Sequence, residues 1–181
     1  SPVKRKCIDE LGYGTNGKLF LGFQRRIWRE QGFQGYLYSN AIHTGWDNSQ
    51  MQNANLGAGG YTVFLGGKAG AALDQSHAQD YLKHLSTIFK GVHRAYNERF
   101  AAFNWAKAPH QLGSYTCYKS GQYTTICGAE GEPIGNILFA GEHCSADFQG
   151  FMNGAAESGR LAAEQILAKT GCLRKANFAN K

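Results

Sequence analysis

The chain has 181 residues, 43% of them hydrophobic and 18% charged, with a formal net charge of +6. That profile excludes a disordered chain, and no run of about 20 apolar residues is present to cross a bilayer as a helix. The positive balance raises nucleic acid as a partner, through Lys4-Arg5-Lys6 or Arg25, Arg26 and Arg29. The basic residues are otherwise scattered, however, and no zinc-finger or RNA-recognition spacing occurs, so no nucleic acid is expected and the charge reads as a solvated face.

Residues 1–10 are polar and read either as an irregular lead-in or as a short helix. Lys18-Leu-Phe-Leu-Gly-Phe23 is rich in strand formers, and Gly35–Tyr38 and Ala41–Trp46 look like two further strands. Asp47–Gly60, full of Asn, Gln and Gly, predicts a long turn, after which Tyr61–Leu65 is a clear strand closed by Gly66-Gly67. Asp74 to Phe100 predicts the main helical region. Its apolar stripe is Tyr81, Leu85, Ile88, Val92 and Tyr96, and Gly91 divides or bends it. Short strands are expected at Ala101–Trp105 and Tyr115–Tyr118, separated by a loop at Pro109. Asn136–Ala140 has the composition of a buried strand, and a helix follows from about Gly150 to Ala168.

Five cysteines (Cys7, Cys117, Cys127, Cys144, Cys172) are an odd number without a CxxC pair. Neither a disulfide framework nor a zinc site is expected from them. The 24 glycines mark turns and places of close backbone approach, and the 13% aromatic share suits a planar ligand.

The closing segment is the most informative. A strand ending at Gly141-Glu142 puts an acidic side chain at the carboxyl edge of a sheet, where ligands of open α/β sheets sit. A helix beginning at Gly150 turns its first free N–H groups toward the same crevice. Gly150, Gly154 and Ser158 stand four apart and make a smooth helical face. A tightly packed αβ unit with no ligand is the alternative reading of the same spacing.

Residues 136–168 resemble the last FAD-binding segment of the monoamine oxidase and polyamine oxidase family. There a strand ends in Gly-Glu or Gly-Thr-Glu, and an aromatic-x-Gly-aromatic-Met-x-Gly-Ala pattern follows. Asn104-Trp105 with Leu112-Gly113-Ser114-Tyr115 is similar to the family's Asn-Trp and Gly-Gly-Cys-Tyr. Lys18 through Trp28 is similar to its strand that opens on lysine and closes on Phe-Trp.

The resemblance implies an FAD-dependent oxidation of a small amine. Hydride passes to the flavin, the imine hydrolyses, and dioxygen is reduced to hydrogen peroxide. It implies that Lys18 holds a water beside flavin N5, that Trp105 packs beside the isoalloxazine, and that Tyr115 forms one wall of an aromatic cage around the amine. The peptide N–H of Met152 would face the flavin's pyrimidine carbonyl, and Gly141, Glu142 and Gly150 would lie near the cofactor, Glu142 by its ribityl–pyrophosphate part. Two departures alter this. Ser114 stands where monoamine oxidases have the flavin-linking cysteine, so FAD is expected to be noncovalent. Phe151 stands in place of the second cage tyrosine and keeps a π-face without the hydroxyl. Trp46 and Asp47, ahead of a Gly- and Asn-rich loop, are candidates for the chamber wall.

The expected fold is therefore α+β. A substrate-binding domain portion (residues 1–112) has a mixed or antiparallel sheet and helices. The last strand and helix of an FAD-binding α/β domain (113–169) and a polar tail (170–181) follow it. Gly12-Tyr-Gly14 is not followed by the third glycine or the helix of a Gly-x-Gly-x-x-Gly loop, so the chain reads as lacking the nucleotide half. Expected partners are the amine, that missing half or a complementary chain, and a second copy as a candidate homodimer. Within the superfamily an L-amino acid oxidase is the alternative, with Arg25 or Arg26 meeting the substrate carboxylate. Outside it stands a binding module that keeps the fold without flavin.

Overall fold

The structure, a computed structural model, describes residues 1–53 and 57–170. Cys172, the tail beyond 170 and part of the Asp47–Gly60 turn lie outside the described residues. The elements in chain order are α1 (Pro2–Glu10), β1 (Gly17–Phe23), α2 (Ile27–Glu30), β2 (Leu37–Ser39), β3 (His43–Asp47), β4 (Gly59–Leu65), α3 (Gly67–Ala72), α4 (Ala78–Ile88), α5 (Val92–Ala95), β5 (Tyr96–Asn104), α6 (Gln122–Thr125) and α7 (Met152–Lys169). They fall into two compact units, one of Gly14–Ser114 and one of Ser1–Tyr13 with the chain from Tyr115 onward.

The unit of residues 14–114 is built on a five-stranded sheet in the order β2-β3-β4-β1-β5, with every pairing antiparallel. Alternation along β1 and β4 sends Leu19, Leu21, Phe23, Tyr61, Val63 and Leu65 to one face, where all are buried. Leu82 and Leu85 of α4 join that core, along with Trp28, Phe89 and Val92. Its centre is aromatic: Trp28 meets Phe23 edge-on at 5.3 Å and Tyr61 at 5.1 Å between ring centres. Each such side chain contributes about 2 kcal/mol by leaving water, so this core is the main stabilising element of the unit.

The helical region ends earlier than its composition predicts. Gly91, at φ +80°, follows α4 and begins α5, but from Tyr96 the chain is β5, paired with β1 from Phe23↔Tyr96 to Gly17↔Asn104. Main-chain pairing along β1 overrides whatever helical preference Tyr96–Phe100 carries. The apolar stripe is also shifted. Leu82, Leu85 and Phe89 are buried, whereas Tyr81 is half-buried and Ile88 is 38% exposed. The strands expected at 35–38 and 41–46 are β2 and β3, each starting two residues later.

In the other unit residues 1–10 form a helix, started by the Ser1 side chain accepting from the Lys4 N–H. Cys7 of α1 packs with Ile126 and Ala129 in a small core. Gln122 ties the pieces together: its Oε1 accepts from Gly12 N (3.0 Å) and Lys119 N (2.8 Å), and its Nε2 donates to Glu10 O (2.6 Å). Lys4, read from sequence as part of a surface basic run, is 2% exposed. Its ammonium donates to Glu130 O and lies 3.5 Å from the centre of the Phe139 ring.

Two expected strands are absent here. Tyr115–Tyr118 forms only the single bridge Tyr13↔Thr116, and 136–140 only the bridge Ile134↔Ile137. Ile137 is 60% exposed rather than buried. A strand exists only through its neighbours, and beyond that bridge no described residue pairs along 136–140. The closing helix is where it was expected but starts at Met152, so Gly150 precedes it and only Gly154 and Ser158 lie on its buried face.

Candidate active site

In an antiparallel sheet, residues opposite one another share a face. Lys18 sits opposite Phe64 of β4 and Phe103 of β5, and Phe20 opposite Thr62 and Ala101, all on the face turned away from the core. Lys18 Nζ is 5.5 Å from the centre of the Phe64 ring, within cation–π range. Trp46 meets the same ring edge-on at 6.0 Å, and Phe103 meets Trp105 at 4.5 Å. Phe103 is 45% exposed and Trp105 36%. An outward sheet face is ordinarily polar; this one carries an amine beside the Phe64 ring and opposite Phe103.

Two asparagines hold this arrangement. Asn16, just before β1, accepts the Ser114 hydroxyl at Oδ1 (2.8 Å), donates its N–H to Ser114 Oγ (3.2 Å), and accepts from Trp105 N at its carbonyl (3.4 Å). Asn104, at the end of β5, directs its side-chain amide at the carbonyls of Gly70 (2.9 Å), Ala71 (3.0 Å) and Leu73 (3.0 Å), closing the carboxyl end of α3. Its Oδ1 meanwhile accepts from Ala106 N (3.1 Å), fixing the turn that carries Trp105. The structure thus connects Lys18, Trp105 and Ser114 through Phe103 and Asn16. Asn16, Phe64 and Phe103 were not singled out from sequence. Alternation on β4 and β5 was the available signal for the two rings, and Asn16 left none.

Asp47 belongs to the interior, not to a chamber wall. Its side chain is fully buried and meets Arg29 Nε at 3.0 Å, while Ser49 donates to it through N (2.8 Å) and Oγ (2.5 Å). Burial alone would raise its pKa, but the bonds from Ser49 and Arg29 oppose it, and the carboxyl is held below its ordinary value. The two arginines considered for a substrate carboxylate are committed as well. Arg25 is paired with Glu30, and Arg26, mostly buried, donates to Ala58 O.

In the other unit the remaining predicted residues gather around one carboxylate. Glu142 Oε1 accepts from Thr116 N (2.8 Å) and from the Thr116 hydroxyl (2.8 Å), and Oε2 accepts from Gly150 N (2.7 Å). Tyr115 precedes Thr116 and Phe151 follows Gly150. A Cβ placed on Gly150 would lie 3.9 Å from the Tyr115 ring, so backbone and ring are neighbours. Gly150 holds φ +84°, a conformation that favours glycine, and it turns the chain into α7.

Phe151 is the N-cap of α7. No side chain caps that end and no acidic residue occupies its first turn. Phe151 is 69% exposed and Met152 89%. At Gly154 a Cβ would stand 2.4 Å from Phe148 O, so only glycine lets the preceding loop lie on the helix. Gly141 is tied to the same helix, its N–H donating to Ser158 Oγ at 3.0 Å.

Comparison with known proteins gives one consistent result. The family profile described as flavin containing amine oxidoreductase matches residues 1–167. A putative L-amino-acid oxidase of Bacillus subtilis (strain 168) is 28% identical over 174 residues, covering 92% of this chain and 36% of the relative. A polyamine oxidase of Oryza sativa subsp. japonica is 26% identical over 171 residues, covering 90% and 33%. The chain thus spans about a third of the length of the curated relatives it matches. Among solved structures, a cyclohexylamine oxidase from Brevibacterium oxydans superposes with a TM-score of 0.81 at 21% identity, over 94% of this chain and 39% of the other. A redesigned putrescine oxidase superposes at 0.80 and 19%, over 93% and 38%. At such identities these two likenesses establish the fold.

Proposed function

The chain belongs to the family of flavin-containing amine oxidoreductases, and from that premise we propose that it carries the substrate-side wall and the last cofactor-contacting segment of an oxidase of small amines. The reaction is two-electron oxidation of an amine's C–N bond to an imine. Water then hydrolyses the imine to a carbonyl compound and ammonia or a smaller amine, and dioxygen takes up two electrons and two protons to leave as hydrogen peroxide. The observation that carries this reading is the outward sheet face, where Lys18 stands between Phe64 and Phe103 with Trp105 beyond.

The residues present fit a flavin. The open amino end of α7, with no acidic residue in its first turn, offers N–H dipoles to an electron-rich carbonyl. Met152 N–H would meet the ring's pyrimidine side, Trp105 would flank the ring, and Gly141 and Glu142 would approach through their backbone. FAD, when bound, supplies the two-electron acceptor. Ser114 has no thiol and its hydroxyl is occupied by Asn16, which supports a noncovalent cofactor.

The remaining steps belong to this chain's side chains. Tyr115 and Phe151 present π-faces to the amine, and Lys18 Nζ holds a water and passes its proton. The exposed Ile137, Leu161, Ile166 and Leu167 are assigned to contact with the nucleotide-binding half, supplied by the rest of a longer chain or by a complementary one.

The test is flavin absorbance of the purified, complemented protein before and after denaturation, followed by peroxide release from a panel of amines and L-amino acids. Released FAD and turnover of amines support the proposal. A protein that never binds flavin, even with its nucleotide-binding half, overturns it. Turnover confined to L-amino acids would instead favour the activity named for the Bacillus relative, and the carboxylate-binding arginine would then lie outside Arg25 and Arg26. Replacing Lys18 with Met is expected to slow turnover about a hundredfold with flavin retained, as measured by stopped-flow absorbance.

A further inference from the structure

Glu142 lies at the end of the Gly-Glu motif, and its carboxylate is used up within the chain. Oε1 takes the N–H and the hydroxyl of Thr116, and Oε2 takes the N–H of Gly150. Each peptide so held lies next to a proposed cage ring, Tyr115 on one side and Phe151 on the other. We propose that Glu142 is a positioning residue that fixes the separation of the two aromatic walls, and so sets which amines fit between them.

An ionised carboxylate offers acceptors on both oxygens, so Glu142 receives one stretch of chain at each oxygen. Bonds to a charged acceptor are stronger than those between neutral groups, so both stretches are held firmly. Thr116 is 7% exposed, so its bonds are sheltered from competition by water. Gly150 is held at φ +84° against the edge of the Tyr115 ring, so a shift at Gly150 moves Phe151 and crowds Tyr115 together. Small displacements of groups that orient a substrate have large kinetic effects.

The inference rests on the reading of Tyr115 and Phe151 as cage walls, and its test separates the two. Glu142→Gln keeps the size but replaces one acceptor by an amide NH2, which faces an N–H or hydroxyl donor. In the flavin-loaded enzyme this variant is expected to raise KM about tenfold, with a smaller change in kcat and full flavin content. Discrimination between slender and bulky amines should shrink. In NMR spectra the amide protons of Thr116 or Gly150 should move upfield and exchange faster. Thr116→Val, which removes one of the three bonds, should give a weaker form of the same pattern, and it serves if the glutamine variant does not fold.

Unchanged Thr116 and Gly150 amides, with unchanged KM, overturn the inference. So does a loss of thermal stability and flavin alone, which marks a purely structural contact. If the wild-type enzyme oxidises no amine, the proposed function fails. The amide resonances still report whether Glu142 clamps the two stretches.

Discussion

Asp47 shows how a residue can look functional in sequence and prove structural. It precedes a polar, glycine-rich turn, but its carboxylate is buried under Arg29 and Ser49. Because its folded pKa is lowered, the stabilisation it gives is complete above its ordinary carboxyl range, near pH 4. That stabilisation is lost as pH falls through the folded value. Asp47→Asn is therefore expected to lower stability by about 2–3 kcal/mol at neutral pH and to flatten the acid limb of the unfolding profile. Urea melts across the acid range would check both. The same comparison explains what was legible at single residues. Lys18, Trp105, Ser114 and Tyr115 stand out as candidates because their neighbours in sequence form a pattern. Asn16 acts through contacts with Ser114 and Trp105, distant in sequence, and no local pattern marks it.

Among the elements, β1 and β4 were legible because alternating large side chains meet a two-sided environment: an aliphatic and aromatic core on one side, and Lys18, Phe20 and Phe64 on the other. The first half of β5 was hidden because Asn97, Glu98 and Arg99 carry no alternation, and Tyr96 happens to continue a helical stripe. Asn104 links β5 to α3 in a way composition does not reveal. Its amide serves the carbonyls of Gly70, Ala71 and Leu73 at the end of α3, where no glycine cap is present. Asn104→Ala is expected to cost about 1–2 kcal/mol and to loosen the turn bearing Trp105. Tryptophan fluorescence quenching by acrylamide would register the second effect. Unchanged quenching would mean that Phe103 alone holds the indole.

For the whole molecule, the segment 136–140 is decisive. Its residues have the composition of an interior strand, yet among the described residues they pair with nothing beyond the Ile134↔Ile137 bridge, and Ile137 is 60% exposed. Leu161, Ile166 and Leu167 of α7 stand exposed at 43%, 51% and 41%. Composition alone does not decide exposure here: burial is a property of the neighbours, and the relatives are about three times as long as the stretch they share with this chain. A strand edge with apolar side chains and no partner is unstable in water and prone to association. The 181-residue chain alone is therefore expected to bind a hydrophobic dye, and amides 136–140 should exchange at nearly unprotected rates. Adding the proposed nucleotide-binding half should quench the dye and slow those amides at least about a hundredfold, because a central strand opens only with the fold around it. Protection of 136–140 in the isolated chain would show that this edge is already satisfied, and the surface assigned to the nucleotide-binding half would have to be sought elsewhere.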